Sequence, residues 1–242
     1  MKIRISEKIR EIPSLWNNAE MMALFHREGF SLLFSLILIF IGIAMALISL
    51  TFVRKLPAGT SFLWLGLFSL SAGVWVLGES DLTSFILPYP SLLYAMAYMG
   101  LFCMNIPFLL FGLVVLKPKN KLPFRLVLWI HTLSVAVAFL LQLMGIMDFT
   151  RSLYWFHFIA PLGFVTFAAC LVLEHFRHRN PTAKRFAPAI ILLAVSTLLE
   201  VSNYWLQLNM PLTAFFQLGV LAFIVSLGIV SGYYVQQSMR TA

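Results

Sequence analysis

The sequence predicts an all-α polytopic membrane protein: a seven-transmembrane helix bundle with its N-terminus outside and its C-terminus in the cytoplasm. Three observations predict it. The 242 residues are 61% hydrophobic and only 11% charged, with a mean hydropathy of +0.91. That is more apolar surface than one soluble core of this size can hide, so lipid must act as the solvent. The apolar residues fall into seven long stretches, and the basic residues collect in short clusters between them.

A bilayer core about 30 Å thick needs about 20 apolar residues at 1.5 Å each. On that rule the spans lie near 29–53, 61–79, 91–116, 124–147, 152–173, 186–207 and 212–235. Seven spans place the two ends on opposite sides. Arg54, Lys55, Lys117, Lys119, Lys121, Arg125, Arg177, Arg179, Lys184, Arg185 and Arg240 fall on one side. Arg151 and the N-terminal Lys2, Arg4, Lys8, Arg10 and Arg27 fall on the other, a division of 11 against 6 among the 17 basic residues. Basic loops stay in the cytoplasm, which sets the orientation. The net charge of +8 is therefore the signature of membrane topology, and no nucleic-acid partner is expected.

Residues 1–28 form an expected extracytoplasmic or membrane-surface segment, residues 29–235 the helical domain, and residues 236–242 a short cytoplasmic tail. The N-terminal segment lacks the apolar core of a cleavable signal peptide, so the first span serves as the targeting signal. Ile5, Ile9, Ile12 and Trp16 recur at roughly helical spacing, consistent with either a surface helix interrupted by Pro13 or a partly ordered tail. Cys103 and Cys170 sit inside apolar runs, away from any CxxC or metal-like spacing, and read as small buried hydrophobes.

Polar groups inside spans are the next clue, because each is costly in hydrocarbon unless it faces the bundle interior and finds a partner. Helix rise places Glu200 about 8 Å below the outer surface. His157 enters span five to a similar depth, and Gln217 falls at the same level in span seven. Asn203 and Trp205 sit above Glu200, while Trp75, Glu79 and Gln142 approach from spans two and four. These eight are candidates to line one outward-opening cavity for an unidentified small ligand. Asn105 and His131 form an expected second layer, and Pro107 and Pro161 are positioned to bend helices. The plainer alternative is that Glu200 pairs with His157 or Asn203 to hold helices together, and that Trp75 and Trp205 are interfacial belt residues.

Known seven-span chemistries fit poorly. A retinal protein needs a Schiff-base lysine in span seven, and no lysine follows Lys184. The motifs of eukaryotic-type receptors are missing: their places read LVVLKPKN and GIVSGYYVQQ. Only His131 and His157 lie within spans, at different depths, so neither a zinc hydrolase nor a two-haem bundle is supported. No cofactor or metal is expected. Two other classes stay open: a small proton- or cation-coupled transporter using Glu200, and an intramembrane metalloenzyme built on His157 and Glu200.

The stretches GLFSLSAGVWVLGESD, PSLLYAMAYMGLFCMNIPFLLF and IHTLSVAVAFLLQLMGIMDFTRSLYWFH resemble the membrane region of bacterial seven-transmembrane receptors with diverse intracellular signalling modules. The resemblance is greatest to the version found in membrane-bound GGDEF diguanylate cyclases. It covers roughly residues 25–240 and rests on an apolar pattern with sparse markers: Trp75, Glu79, Pro107, His131, Gln142, Asp148, Phe149 and His157. It implies a sensor in the bacterial plasma membrane that passes a signal through helix seven to a cytoplasmic output domain of GGDEF or kinase type, and it suggests a homodimer. The chain departs from the family pattern in having no GGDEF, EAL or kinase segment and an N-terminal segment too short for a sandwich domain. The expectation is therefore a signal-input module with no catalytic domain in this chain, either the membrane part of a longer protein such as a diguanylate cyclase or a free-standing homologue that signals through a partner.

Overall fold

The structure is a computed structural model that describes residues 18–52, 59–206 and 214–241. The candidate surface helix around Ile5 to Trp16, and the basic pair Arg54 and Lys55, lie outside the described residues. In chain order the helices are α1 (Asn18–Phe52), α2 (Gly59–Glu79), the short α3 (Asp81–Ile86), α4 (Pro90–Cys103), α5 (Asn105–Leu116), α6 (Leu122–Leu143), α7 (Phe149–Phe176), α8 (Pro181–Leu206) and α9 (Ala214–Thr241). Among the described residues six apolar helical segments are long enough to cross a membrane, the third being Pro90–Leu116 across α4 and α5, and α9 carries a shorter apolar stretch, Phe215–Val230.

Helix ends differ from the sequence expectation where short-range chemistry decides them. α1 starts at Asn18, ahead of the apolar run, so residues 18–28 continue the first span as one helix. α6 stops at Leu143 because Gly145 adopts a positive φ of 69°, a left-handed turn that glycine adopts without steric cost. Span three is two helices meeting at Met104, three residues before Pro107, whose missing N–H leaves one rung of the ladder unmade. Pro161, in contrast, lies inside the unbroken α7. α9 continues to Thr241, so the expected tail begins as helix.

Lipid tails are as apolar as leucine, so packing and close backbone approach hold such helices together. Small residues supply that approach. A Cβ on Gly42 of α1 would lie 2.8 Å from the Gly66 carbonyl of α2, and one on Gly66 would lie 2.8 Å from the Gly42 carbonyl. The Ser69 hydroxyl donates to the Leu38 carbonyl at 2.8 Å across the same crossing. α2 meets α4 in the same way: a Cβ on Gly78 would strike the Ala97 backbone, and one on Gly100 the Trp75 backbone.

α5 lies at the centre, packed against α2, α6, α7 and α8. Its Phe108 ring stands 4.9 Å from both Phe164 and Phe167 of α7, and 5.8 Å from Phe68 of α2 and Phe223 of α9. Such pairs add about 0.5–1.5 kcal/mol each beyond area burial. A second aromatic cluster, nearer the outer end, surrounds Phe149 with Tyr94, Tyr98, Phe102 and Phe139. Outward-facing positions such as Phe40, Leu47, Trp129, Leu133 and Phe158 are exposed large apolar side chains, as a lipid-facing surface requires.

Candidate functional site

The first turn of α9 is where three of the expected outer residues, Trp75, Glu200 and Gln217, converge. Its amides have no acceptor within the helix, and the Glu200 carboxylate of α8 accepts the Phe216 N–H at 3.4 Å. A negative group at a helix N-terminus is also favoured by the helix dipole. The next residue, Gln217, is 1% exposed, and its Nε2 donates to Ser31 Oγ of α1 at 2.9 Å. The Phe216 ring meets Trp75 of α2 edge-on, centroids 4.7 Å apart. Three neighbouring helices thus fix the outer end of α9 through Trp75, Glu200, Gln217 and Ser31. Asn203 lies one turn beyond Glu200, buried, its Nδ2 without a hydrogen-bond acceptor among the described residues.

His157 of α7 meets the C-terminal end of α8. Its ring stands edge-on to Trp205 with centroids 6.0 Å apart, and Tyr154 flanks the same indole at 6.1 Å. Trp205 and Tyr154 are both about half exposed, the placement of an interfacial belt.

Gln142 is occupied by a structural task. Its Oε1 accepts the Phe149 N–H at 2.8 Å, which closes the first turn of α7 and seats Phe149 in the outer aromatic cluster. Glu79 is the last residue of α2 and half-buried.

The carboxylate that organises that corner is Glu28, which the sequence reading left in the N-terminal segment. Its Oε2 accepts the Ser80 hydroxyl at 3.1 Å and the Asp81 and Leu82 amides at 2.5 and 3.3 Å. Arg27 pairs with Asp81 at 3.2 Å. The outer ends of α1, α2 and α3 are thereby joined. The signal available in the sequence was an adjacent Arg–Glu pair at the outer edge of span one facing a Ser–Asp helix start.

The second layer is present as buried polar groups. His131 is 1% exposed; its Nδ1 lies 2.9 Å from the Val127 carbonyl, its Nε2 has no partner among the described residues, and its ring faces Gly163 of α7. Asn105, also 1% exposed, opens α5 beside the Met104 break, and neither end of its amide finds a partner among the described residues.

At the opposite end the sequence reading missed Glu174, which falls one residue past the expected end of span five. It is 6% exposed and accepts the Lys119 N–H at 2.9 Å, tying the loop between α5 and α6 to α7. The Asn180 side chain donates to the Leu116 carbonyl at 3.1 Å and strengthens that tie. Among the described residues no group of three or more His, Cys, Asp or Glu side chains is placed to hold a metal ion.

An all-helical bundle with lipid-facing apolar surface and buried polar contacts at helix ends defines a multi-pass membrane protein. Residues 30–233 match the family described as 7TM diverse intracellular signalling, and the chain belongs to that family. No curated protein and no solved structure matches the chain. Membership supports a receptor domain tied to intracellular signalling.

Proposed function

We propose that this chain is a transmembrane signal-input module in which a ligand or membrane state acting on the outer half alters how α9 is held, and α9 carries the change to a cytoplasmic output domain. The observation that supports this most is the outer clamp on α9: Glu200 on the Phe216 amide, Gln217 on Ser31 and Trp75 on Phe216. The helix so held runs on as one piece to Thr241. Shifting a two-state equilibrium strongly requires a few kcal/mol of differential affinity, and a ligand replacing these contacts would supply energy of that order. Trp75, Glu200, Asn203 and Gln217 are the proposed ligand-facing set. His157 and Trp205 form its lipid-facing edge, Glu79 and Gln142 its outer support, and Asn105 and His131 the layer beneath.

The proposed output partner is a GGDEF-type or kinase-type domain, engaged by a homodimer of the bundle. The test is a spin-label distance measurement between the cytoplasmic ends of α6 and α9 in bilayers, with Cys103 and Cys170 replaced by alanine. Glu200→Gln combined with Gln217→Leu is expected to shift the distance distribution or add a second population. An unchanged distribution in the doubly substituted protein refutes coupling through α9.

A further inference from the structure

The end of the bundle that the basic residues assign to the cytoplasm carries a cleft of about 150 Å³ lined by Pro118, Asn120, Pro123, Cys170, Leu173, Glu174, Arg177 and His178. Drug-sized sites span roughly 300–1,000 Å³, so this one suits a small polar group. It contains both signs of charge in separate places. Glu174 is buried and takes one backbone N–H, from Lys119. Arg177 and His178 are exposed at the rim, and among the described residues neither forms an ion pair with Glu174. A buried carboxylate without a cationic partner is costly, so the cleft favours an occupant that brings a cation inward and leaves an anion at the rim.

The lining residue Leu173 is itself exposed, and so are Leu122 and Phe176, the chain neighbours of the lining residues Pro123 and Arg177. In a bilayer those positions meet acyl chains, which argues for an occupant with tails.

We propose that this cleft binds the headgroup of an aminophospholipid from the inner leaflet, its primary ammonium on Glu174 and its phosphate against Arg177 and His178. A primary ammonium donates to a carboxylate with little bulk, whereas the trimethylated ammonium of a choline lipid has no N–H to donate. An anionic glycerol lipid satisfies the rim but leaves Glu174 unpaired. The site is separate from the outer clamp of α9 and does not depend on the sensory reading.

The test is native mass spectrometry of the full chain purified in mild detergent and offered phosphatidylethanolamine, phosphatidylglycerol or phosphatidylcholine. The wild-type protein is expected to retain phosphatidylethanolamine over both others. Glu174→Gln keeps an oxygen for the Lys119 amide and is expected to weaken phosphatidylethanolamine by about tenfold while leaving phosphatidylglycerol unchanged, the loss of one charge-assisted hydrogen bond. Arg177→Gln is expected to weaken both phospholipids. Equal retention of phosphatidylglycerol and phosphatidylethanolamine by the wild type overturns the proposal, as does a phosphatidylethanolamine preference that survives in Glu174→Gln. Competition by water-soluble glycerophosphoethanolamine at equal affinity also overturns it, because the occupant would then be a soluble zwitterion. The wild-type comparison stands even where a variant fails to fold.

Discussion

Replacing Gly42 by alanine tests what holds α1 to α2. The added Cβ would sit 2.8 Å from both the Gly66 carbonyl oxygen and the Leu70 amide nitrogen, and 3.0 Å from the Leu70 Cα. All three are backbone atoms that no side-chain rotation can move. Ordinary contact starts near 3.4 Å, so the helices must separate by more than half an ångström at their crossing. Overpacking of this kind costs about 1–3 kcal/mol. The 2.8 Å bond from Ser69 to the Leu38 carbonyl lies on the same interface, and its loss adds about 0.6 kcal/mol, the average for such bonds in membranes. Alanine's better helix propensity returns up to about 1 kcal/mol. The net expectation is destabilisation by about 1–2.5 kcal/mol, measured by reversible unfolding in mixed micelles of increasing SDS content. Gly228→Ala is the control, because nothing lies within 4 Å of its added Cβ, and it is expected to be neutral or mildly stabilising. If Gly42→Ala unfolds at the same SDS content as Gly228→Ala, close backbone approach does not hold these helices.

Three further outcomes are expected in the same unfolding assay. Glu28→Leu removes the acceptor for Ser80, Asp81 and Leu82 and should cost about 1.5–3 kcal/mol, the range for hydrogen bonds to a charged group; stability equal to wild type refutes the staple. Gln142→Leu should cost about 1 kcal/mol through loss of the Phe149 cap, and Gln142→Glu, which keeps an oxygen there, should recover most of it. Asn105→Leu should be neutral or stabilising, because it replaces a buried amide that has no partner among the described residues with an apolar side chain of similar volume. Marked destabilisation of Asn105→Leu would show that the amide is engaged in the folded protein.

The membrane class and the helical bundle were legible because hydropathy and helix rise are additive along a chain, and the same rise put Glu200, Gln217 and Trp75 near one level, where Glu200 and Trp75 both meet Phe216. Lateral direction was not legible. The spans are apolar nearly all round, so no moment says which face turns inward. Hydropathy and helix rise therefore could not foretell that the His157 ring meets Trp205 or that the Glu200 carboxylate meets the first turn of α9. The cap that Gln142 gives the Phe149 N–H was not foreseen, although a polar residue near a helix end commonly meets such a need. Glu28 and Glu174 were overlooked for one reason: each lies at the edge of a span, where a carboxylate passes for solvated. Both instead accept backbone amides from a different segment, a contact that only folding brings about.

The energies of the outer clamp bear on what kind of input could act there. Hydrogen bonds between membrane helices average about 0.6 kcal/mol, and an aromatic pair such as Trp75 and Phe216 adds about 1 kcal/mol. With the bonds from Phe216 to Glu200 and from Gln217 to Ser31, the clamp is worth about 2 kcal/mol, a population ratio of roughly thirty. On the proposed reading, contacts of that strength would keep one arrangement of α9 dominant while leaving it within reach of a weak ligand or a change in the bilayer. The Phe108 contacts with α2, α7 and α9 then set how far any movement of α9 must be shared with the rest of the bundle.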